Sequence, residues 1–313
     1  MRIVFMGTPE SAVPSLRRLL DDGHEIIAVW TQPDKPAGRG NKLHQSPVKE
    51  FALRHNLIVH QPARIKTQDA KTLFASHEAD AAIVVAYGRI LPAEFLNAPR
   101  HGCLNVHFSL LPKYRGAAPV NWAIVNGERE TGVTTMKIVE ELDTGPILLQ
   151  HPTKITEHET APQLLARLAE ISAELLSETL KRFDSIQAQP QRDEEATFAP
   201  MLKREDGLID WSTDAFAIER RVRGFQPWPN AYTSFRAQRL IIWKAMPEWI
   251  EQLAFPPGQI IEARGDRLVI ACGEATALRV SELQTEGGRR LSARDFLNGT
   301  HVKVGALLGL TRS

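Results

Sequence analysis

The sequence predicts an α/β fold in which a doubly wound, mostly parallel sheet is followed by a smaller C-terminal β-barrel domain. From residue 1 to about residue 183, apolar runs alternate with amphipathic helical segments, as in parallel sheets covered by helices. A polar, proline-bearing stretch follows, and beyond it short strand-like runs recur at the spacing of a small antiparallel barrel. We therefore expect one domain over residues 1–184, a linker over 185–204 and a second domain over 205–313.

The composition is that of a globular protein that needs neither metal nor disulfides to hold its core. At 313 residues the chain exceeds the usual size of one domain, and its charged content of 24% is typical. Cys103 and Cys272 form no metal-ligand pattern, so we expect no metal and a reduced, cytoplasmic setting. We expect no membrane span and no signal segment, because no apolar run approaches roughly 18 residues. Since the net charge is only +1, any contact with nucleic acid has to come from local patches.

The first strand, Arg2–Met6, runs into a glycine turn and a helix, in the order of a dinucleotide-binding unit. We expect Thr8 to cap this helix and Gly23 to end it, with a second strand at Glu25–Thr31. The dinucleotide fingerprint requires three glycines spaced G-x-G-x-x-G, whereas Gly7 stands alone. A nicotinamide or flavin cofactor is therefore disfavoured.

The next segment, Gln32–Pro47, contains two glycines and three prolines, which predicts a long loop without regular structure. The segment from Asp34 to Arg54 contains five lysine and arginine residues but only two acidic residues. Such a loop is either a solvated surface or a phosphate-contacting surface, in which Gly-Arg-Gly lets Arg39 approach a nucleic-acid backbone. Composition alone favours the solvated surface, but loops of this length inside compact domains are usually functional.

Apolar periodicity and capping residues predict the remaining elements. Further strands are expected at Ala81–Ala86, Thr131–Val139 and Ile147–Gln150, with helices at Gln68–Ser76, at Pro119–Val125 and from Thr160 to about Arg182. After a helix near Thr213–Arg223, the barrel strands are expected at Ala231–Phe235, Leu240–Ala245, Gln259–Ala263, Leu268–Ala271 and Leu278–Leu283. A last helix should begin at Ser292, whose hydroxyl can cap it.

One stretch, Cys103–Pro119, joins a strand to a rigid, charged loop. Its apolar run, Gly102–Val106, predicts a short buried strand, and Asn105 and His107 share one face because strand side chains alternate. The turn sequence Leu-Asp-Thr-Gly supplies Asp143 as the carboxylate that could join them. Strand ends that open into such loops commonly carry the functional groups of α/β sheets.

These three side chains suit acyl transfer. Asn105 could donate to an oxygen that becomes negative, and His107 could take or give a proton. Asp143 could either orient the imidazole or hold a water that relays protons. No serine or cysteine occupies a nucleophile elbow and no cluster has metal-ligand spacing, so direct transfer between two bound substrates fits better than covalent or metal catalysis. The residues alone do not exclude a structural role, because Asn-x-His and Asp-Thr-Gly are short and common.

Three ordered motifs resemble the folate-dependent formyltransferase family. They are Asn-Val-His-Phe-Ser-Leu-Leu-Pro at 105–112, Tyr-Arg-Gly-Ala-Ala-Pro at 114–119 and Leu-Asp-Thr-Gly at 142–145. The loop Gln-Pro-Asp-Lys-Pro-Ala-Gly-Arg-Gly at 32–40 and the segment Phe-Gln-Pro-Trp-Pro at 225–229 resemble its tRNA-formylating members in particular. Phe108 stands where those enzymes often carry a small residue, which we do not expect to abolish activity. The resemblance implies a Rossmann-like catalytic domain and an OB-like barrel that binds tRNA.

The resemblance also implies specific roles. Asn105, His107 and Asp143 would be the catalytic set, acting on 10-formyltetrahydrofolate as formyl donor and the amino group of initiator methionyl-tRNA as acceptor, in translation initiation. The residues expected at the folate are Ser109, Leu110, Leu111, Pro112, Ala86, Tyr87, Gly88 and Ile90. Those expected at the tRNA are Lys35, Arg39 and Lys42.

Three alternatives to this function remain open. A formyltransferase of the same family could act on a nucleotide-linked amino sugar or on glycinamide ribonucleotide, although a small acceptor needs neither the Arg39 loop nor a second domain. A hydrolase could use the same residues to release formate from the folate. A pure tRNA-binding module could carry them as structural residues. We expect a cytoplasmic monomer that contacts no membrane.

Overall fold

The structure, a computed structural model, describes residues 1–37, 42–251 and 255–309. These residues form two compact units. The first unit takes its residues from Met1–Pro119, Glu130–Lys154 and Leu165–Pro200. The second unit takes them from Val120–Arg129, Ile155–Leu164 and the described residues from Met201 onward. The predicted fold class is confirmed, because the first unit carries a mostly parallel sheet and the second an antiparallel one that fits a small barrel.

A seven-stranded sheet organises the first unit. The strands in chain order are β1 (Arg2–Gly7), β2 (Glu25–Trp30), β3 (Lys35–Ala37), β4 (Lys42–His44), β5 (Val59–His60), β6 (Ala81–Val85), β7 (Cys103–His107), β8 (Arg115–Gly116), β9 (Glu130–Lys137), β10 (Ile147–Lys154) and β11 (Phe198–Ala199). The large sheet has the order β10-β9-β7-β6-β1-β2-β5, and its pairs are parallel except at β9, which runs antiparallel to β7 and β10. Two small sheets pair β3 with β4 and β8 with β11.

Helices connect these strands. They are α1 (Val13–Asp21), α2 (Pro47–Arg54), α3 (Gln68–Ala75), α4 (Ala93–Asn97), α5 (Pro119–Val125) and α6 (Ala161–Lys181). All five residues of β6 and residues 3–7 of β1 are buried, as expected for parallel strands covered on both faces. Ser46 and Thr67 cap α2 and α3 by accepting from the backbone N–H three residues later. The central strands therefore form the core, and their carboxyl ends open into loops.

Two local predictions are wrong. A short 3₁₀ turn at Glu10–Ala12 comes first and α1 begins at Val13, so Thr8 does not cap the helix. The Thr8 hydroxyl instead donates to the carbonyl of Tyr87 at 3.2 Å. The segment Gln32–Pro47 is not only a loop, because β3 and β4 pair as an antiparallel ribbon. Strands of three residues are too short to show alternation in the sequence.

The second unit is built on an antiparallel sheet. Its strands are β12 (Ala231–Phe235), β13 (Gln238–Trp249), β14 (Ile260–Arg264), β15 (Arg267–Ala271), β16 (Thr276–Thr285) and β17 (Arg290–Ser292), and its later helices are α7 (Ala215–Gly224) and α8 (Ala293–Gly299). The order is β12-β13-β16-β15-β14, with β17 paired to β16. The five predicted strands are confirmed, whereas β17 was not expected. Ile218 of α7 and Phe296 of α8 join the apolar core of the sheet, and Ser292 caps α8 as predicted.

Candidate active site

Strand β7 brings the first two predicted site residues to one face of the sheet. It lies between β6 and β9, with Asn105 opposite Met136 and His107 opposite Thr134. His107 is buried, with 6% of its surface exposed, and Asn105 is half-buried. The side-chain amide of Asn105 makes no hydrogen bond with any residue in the described part of the chain. This amide is therefore available to donate to a substrate oxygen.

A backbone carbonyl fixes the imidazole of His107. Nε2 lies 2.9 Å from the carbonyl oxygen of Tyr114. Because a carbonyl can only accept, Nε2 carries the hydrogen, and Nδ1 carries the lone pair of the neutral ring. Tyr114 itself has φ 62°, in the left-handed region, which turns its carbonyl towards the ring. Nδ1 is thus the nitrogen of His107 that can exchange a proton with a substrate.

The structure brings Asp143 to this nitrogen. Its Oδ2 lies 3.8 Å from Nδ1 of His107, and the same oxygen accepts from the backbone N–H of Gly116 at 2.9 Å. A distance of 3.8 Å exceeds a direct hydrogen bond. The sequence leaves two roles open for Asp143. One of them, direct orientation of the imidazole, is performed by the Tyr114 carbonyl instead. The carboxylate is placed to act through a bridging group.

The turn that holds Asp143 has its own conformational requirements. Asp143 has φ 55°, which costs a non-glycine residue energy. Two residues later, a side chain at Gly145 would collide with the carbonyl oxygen of Lys137, so only glycine fits there. The Asp-Thr-Gly sequence therefore supplies the carboxylate and also the glycine that this backbone geometry requires.

The segment Ser109–Pro112, predicted at the folate, is braced by its neighbours in the sheet. Ser109 Oγ donates to the carbonyl of Lys113 at 2.6 Å. Thr134 Oγ1 on β9 donates to the carbonyl of Ser109 at 2.6 Å and accepts from the N–H of Leu111 at 3.2 Å. Gln150 Nε2 on β10 donates to the Leu111 carbonyl at 2.8 Å. Most polar groups of this turn are engaged internally, so its shape is set before any ligand binds.

The other predicted folate residues follow β6. Ala86, Gly88 and Ile90 are exposed, while Tyr87 is 1% exposed and packs in the core. Burial raises the pKa of the Tyr87 hydroxyl to about 12, so it stays protonated near neutral pH. Because β6 and β7 are parallel neighbours, this loop and the His107 loop leave the sheet at the same edge. Tyr87 thus supports the loop, and its three exposed neighbours are the ones that can face a ligand.

Gln32 is a supporting residue that the sequence did not point to. Its Nε2 donates to the carbonyl of Tyr87 at 3.0 Å and to that of Gly88 at 3.3 Å. A side chain at Gly88, which has φ 79°, would collide with the Gln32 amide. Gln32 therefore ties the loop after β6 to the chain that follows β2.

Residues 191–199, within the stretch predicted as a linker, lie against the candidate site. Strand β11 pairs with β8, and Thr197 Oγ1 accepts from the N–H of Tyr114 at 2.9 Å. Gln191 Nε2 donates to the carbonyls of Asp143 and Gly145, both at 2.8 Å. The buried side chain of Arg115 donates to Gln191 Oε1 at 3.0 Å. Side chains that bond to main-chain groups leave no periodic pattern, so these contacts cannot be predicted from the sequence.

The predicted tRNA residues are only partly described. Lys35 lies exposed on β3. Arg39 and the side chain of Lys42 lie outside the described residues. At the base of the β3–β4 ribbon, Asp34 accepts from Gln61 at 2.7 Å and from Lys49 at 2.6 Å, and these bonds lower the pKa of the carboxyl. The base of the ribbon is therefore anchored to α2 and to the residue after β5 by a network that includes one ion pair.

Cys103 lies at the other end of β7 from His107, buried in the core. Cys103, on the same strand as Asn105, donates from Sγ to the carbonyl of Phe95, and burial raises its thiol pKa to about 12. A thiol of this kind is a poor nucleophile near neutral pH. In the described ranges, no three histidine, cysteine or acidic residues cluster as metal ligands. No described helix is both long and apolar enough to cross a membrane.

Comparison with known proteins identifies the class. A family model described as "Formyl transferase" matches residues 1–180, and a second described as "Formyl transferase, C-terminal domain" matches residues 201–301. The chain therefore belongs to the formyl transferase family.

The relatives are more specific. The methionyl-tRNA formyltransferase of Caldanaerobacter subterraneus subsp. tengcongensis is 48% identical over 316 residues, which cover 98% of this chain and 100% of that protein. The methionyl-tRNA formyltransferase of Solibacter usitatus is 48% identical over 311 residues, which cover 99% of each protein. Since this similarity extends over the full length, the chain groups with the methionyl-tRNA formyltransferases within the family.

Solved structures share the fold at much lower identity. WlaRD, a sugar 3N-formyl transferase, gives a TM-score of 0.66 at 21% identity, covering 90% of this chain and 97% of that one. HypX from Aquifex aeolicus, solved in complex with tetrahydrofolic acid, gives a TM-score of 0.64 at 21% identity. That match covers 95% of this chain and 47% of HypX, so this chain spans about half the length of HypX. At this identity the likeness shows the fold alone.

Proposed function

We propose that this chain transfers the formyl group of 10-formyltetrahydrofolate to the free amino group of initiator methionyl-tRNA, giving formylmethionyl-tRNA for translation initiation. The observation that carries the proposal is the convergence of Asn105, Nδ1 of His107 and Asp143 at one sheet edge. The 48% identity to methionyl-tRNA formyltransferases over the full chain supports the choice of acceptor. Tetrahydrofolic acid in a structure of the same fold supports the choice of donor.

Each residue has a distinct part in the proposed reaction, in which the neutral amine attacks the formyl carbon directly and a tetrahedral oxyanion forms. Asn105 donates its amide N–H to the developing oxyanion, as oxyanion-hole groups do. His107 donates to the same oxygen from Nδ1 when protonated. As the oxyanion collapses and the bond between the formyl carbon and the folate nitrogen breaks, His107 moves a proton from the amine to that nitrogen, and tetrahydrofolate leaves. Asp143 holds a water that bridges the 3.8 Å to Nδ1 and relays protons. No metal takes part in this scheme.

The folate would lie along the edge where the β6 and β7 loops meet. The exposed Ala86, Gly88 and Ile90 offer backbone and apolar contacts, and the turn at Ser109–Pro112 offers a rigid wall. Tyr87 and the Ser109 hydroxyl hold these loops in shape rather than contact the ligand, since both are buried. This arrangement fits a flat aromatic ring system with a few polar edges.

We further propose which part of the chain carries out catalysis and which part binds tRNA. Residues 1–184 form the catalytic domain, 185–204 connect it to the rest and 205–313 form a barrel that binds tRNA; the family matches at 1–180 and 201–301 support these bounds. Lys35, Arg39 and Lys42 contact the tRNA near its acceptor end. The protein acts in the cytoplasm as a monomer.

One experiment separates this function from its rivals. Formyl-labelled 10-formyltetrahydrofolate is supplied with charged initiator tRNA, charged elongator tRNA or glycinamide ribonucleotide. We expect the label on the methionyl group of the initiator tRNA. Label on glycinamide ribonucleotide would indicate a small-acceptor enzyme, and labelled formate released without an acceptor would indicate a hydrolase. If the chain neither transferred the label nor bound folate, a pure tRNA-binding module would be the remaining alternative.

The basic loop gives a second test of the acceptor. Arg39→Ala should raise KM for the tRNA and leave the binding of folate unchanged. If a phosphate is the partner, the salt dependence of tRNA binding should become shallower by about one unit of log–log slope. Arg17→Ala, which removes an exposed arginine from α1, is the matched control and should behave like the unmodified chain. Unchanged tRNA kinetics in the Arg39 variant would indicate that this loop is a solvated surface that does not contact the tRNA.

A further inference from the structure

The turn that carries Asp143 connects β9 to β10, and it is bonded to groups that belong to neither strand. The side chain of Asp143 is fixed by the N–H of Gly116, and the main chain on both sides of Thr144 is fixed by one amide group. That amide belongs to Gln191, whose Nε2 donates to the carbonyls of Asp143 and Gly145 at 2.8 Å each. Two bonds from one rigid group set the direction of the turn as well as its position.

A buried arginine fixes the orientation of this amide. The Nε of Arg115 donates to Gln191 Oε1 at 3.0 Å, and only 6% of the arginine surface is exposed. Since a guanidinium can only donate, the amide oxygen has to face Arg115 and the NH₂ group has to face the two carbonyls. The other end of Arg115 pairs with Asp193 at 2.8 Å, but the side chain of Asp193 is 83% exposed. Gln191, which is half-buried, is therefore the link between the buried Arg115 and the Asp143 turn.

Two other hydrogen bonds of this turn do not reach the main chain of Asp143: Thr144 Oγ1 donates to the Glu141 carbonyl at 3.2 Å, and the N–H of Lys137 donates to the Pro146 carbonyl at 3.0 Å. Glu140, Glu141 and Leu142, which precede Asp143, are all exposed. Asp143 nevertheless adopts φ 55°, a region that a non-glycine residue occupies only when its surroundings impose it. The two bonds from Gln191, one of them to the Asp143 carbonyl itself, contribute to that constraint at the residue whose carboxylate faces His107.

We propose that Gln191 is a positioning residue for formyl transfer, which sets the Asp143 carboxylate at its distance from Nδ1 of His107. Gln191, which lies in the stretch predicted as a linker, is then part of the active site and not of a passive connector. This inference rests on the proposed function, because its kinetic consequence is a loss of formyl transfer. A misplacement of about 1 Å at a reacting group can cost on the order of a hundredfold in rate.

Two substitutions separate positioning from simple anchoring. Gln191→Ala removes all three bonds. Gln191→Glu keeps an acceptor for Arg115 but sets carboxylate oxygens against the carbonyls of Asp143 and Gly145, so both donations are lost. We expect each variant to lower kcat by about tenfold to a hundredfold, with KM for folate and tRNA and the thermal midpoint little changed. Gln189→Ala is the matched control, because that exposed amide donates only to the carbonyl of Gln187, and its kcat should stay unchanged.

A double-mutant cycle tests the route of the effect. If Gln191 acts through Asp143, adding Gln191→Ala to Asp143→Ala should lower kcat by less than about twofold further. Full additivity of the two losses would overturn the proposal, as would a normal kcat in Gln191→Glu. Hydrogen exchange of a peptide covering residues 140–146 should be faster in both Gln191 variants, whether or not the chain formylates tRNA. If the unmodified chain proves inactive, the proposed function fails, and unchanged exchange in this peptide would separately overturn the positioning role.

Discussion

In the first unit, His107 lies among polar groups, whereas a second set of histidines, His60 and His77, lies among aromatic side chains. His107 is 6% exposed and its ring nitrogens face polar groups, Nε2 the Tyr114 carbonyl and Nδ1 the Asp143 carboxylate. His60 and His77 are half-buried with their rings 5.2 Å apart, and they lie among aromatic side chains. Burial lowers the pKa of both, and the charge of His60 lowers the pKa of His77 further.

The contrast shows that partners, and not the degree of burial, distinguish the two kinds of histidine. Trp30 Nε1 donates to Nε2 of His77 at 3.2 Å, so His77 serves as a neutral acceptor inside an aromatic cluster. His107 is the more buried ring, yet its Nδ1 makes no direct hydrogen bond with a described residue and faces a carboxylate 3.8 Å away. It also lies at the sheet edge where the loops after β6 and β7 meet. Substitutions in the two sets should therefore affect different quantities.

The largest effect is expected at His107. In His107→Gln the new amide can still donate to the Tyr114 carbonyl, but it cannot take up a proton. We expect kcat for formyl transfer to fall by about 10²- to 10⁴-fold, the usual contribution of general acid–base catalysis, with little change in the thermal midpoint. Steady-state formylation and thermal unfolding measure the two quantities. A kcat within about twofold of the unmodified chain would remove His107 from the mechanism.

A smaller effect is expected at Asn105. In Asn105→Ala, the loss of one oxyanion donor should lower kcat by about a hundredfold or more and leave KM for the tRNA unchanged. Asn97→Ala, which truncates an exposed asparagine at the end of α4, is the matched control and should keep full activity. If the Asn105 variant turned over normally, the oxyanion would need another donor.

The sequence predicted the elements that follow from periodicity. The fully apolar run of β6 and its alternation with helical segments predict a buried strand, and within a strand the one-residue spacing of Asn105 and His107 puts both on one face. The Asp-Thr-Gly sequence locates the turn at Asp143, the chemistry of a carboxylate beside a histidine joins it to the other two residues, and the resemblance implies that all three are the catalytic set. Their catalytic roles stay predictions, although the structure brings the three side chains together.

The sequence could not predict how these groups are held. The Tyr114 carbonyl reaches His107 because a tyrosine adopts a left-handed backbone, which no residue preference indicates. Gln191 reaches the Asp143 turn from a polar stretch without periodicity, and its bonds go to main-chain carbonyls that every residue possesses. Hydrogen bonds between distant side chains and backbone are set by tertiary packing, so sequence patterns do not record them.

The smallest effect is expected at His77 and should appear in stability alone. Unfolded histidine takes up a proton near pH 6.5, whereas burial holds the pKa of folded His77 below that value. The unfolded state therefore binds more protons on acidification, so this contribution to stability is present above about pH 6.5 and is lost as the pH falls through the folded pKa.

His77→Gln isolates this contribution, because the glutamine carbonyl can still accept from Trp30 Nε1 but does not titrate. We expect the variant to lose less stability between pH 7 and pH 5 than the unmodified chain, by less than about 1 kcal/mol in the free energy of unfolding, with kcat unchanged. His60→Gln should change the pH dependence in the same direction, since burial lowers its pKa as well. Denaturant unfolding across this pH range and formylation at pH 7.5 make the comparison. A fall in kcat in either variant would break the distinction between the two sets of histidines, because it would tie the aromatic cluster to the chemistry at His107.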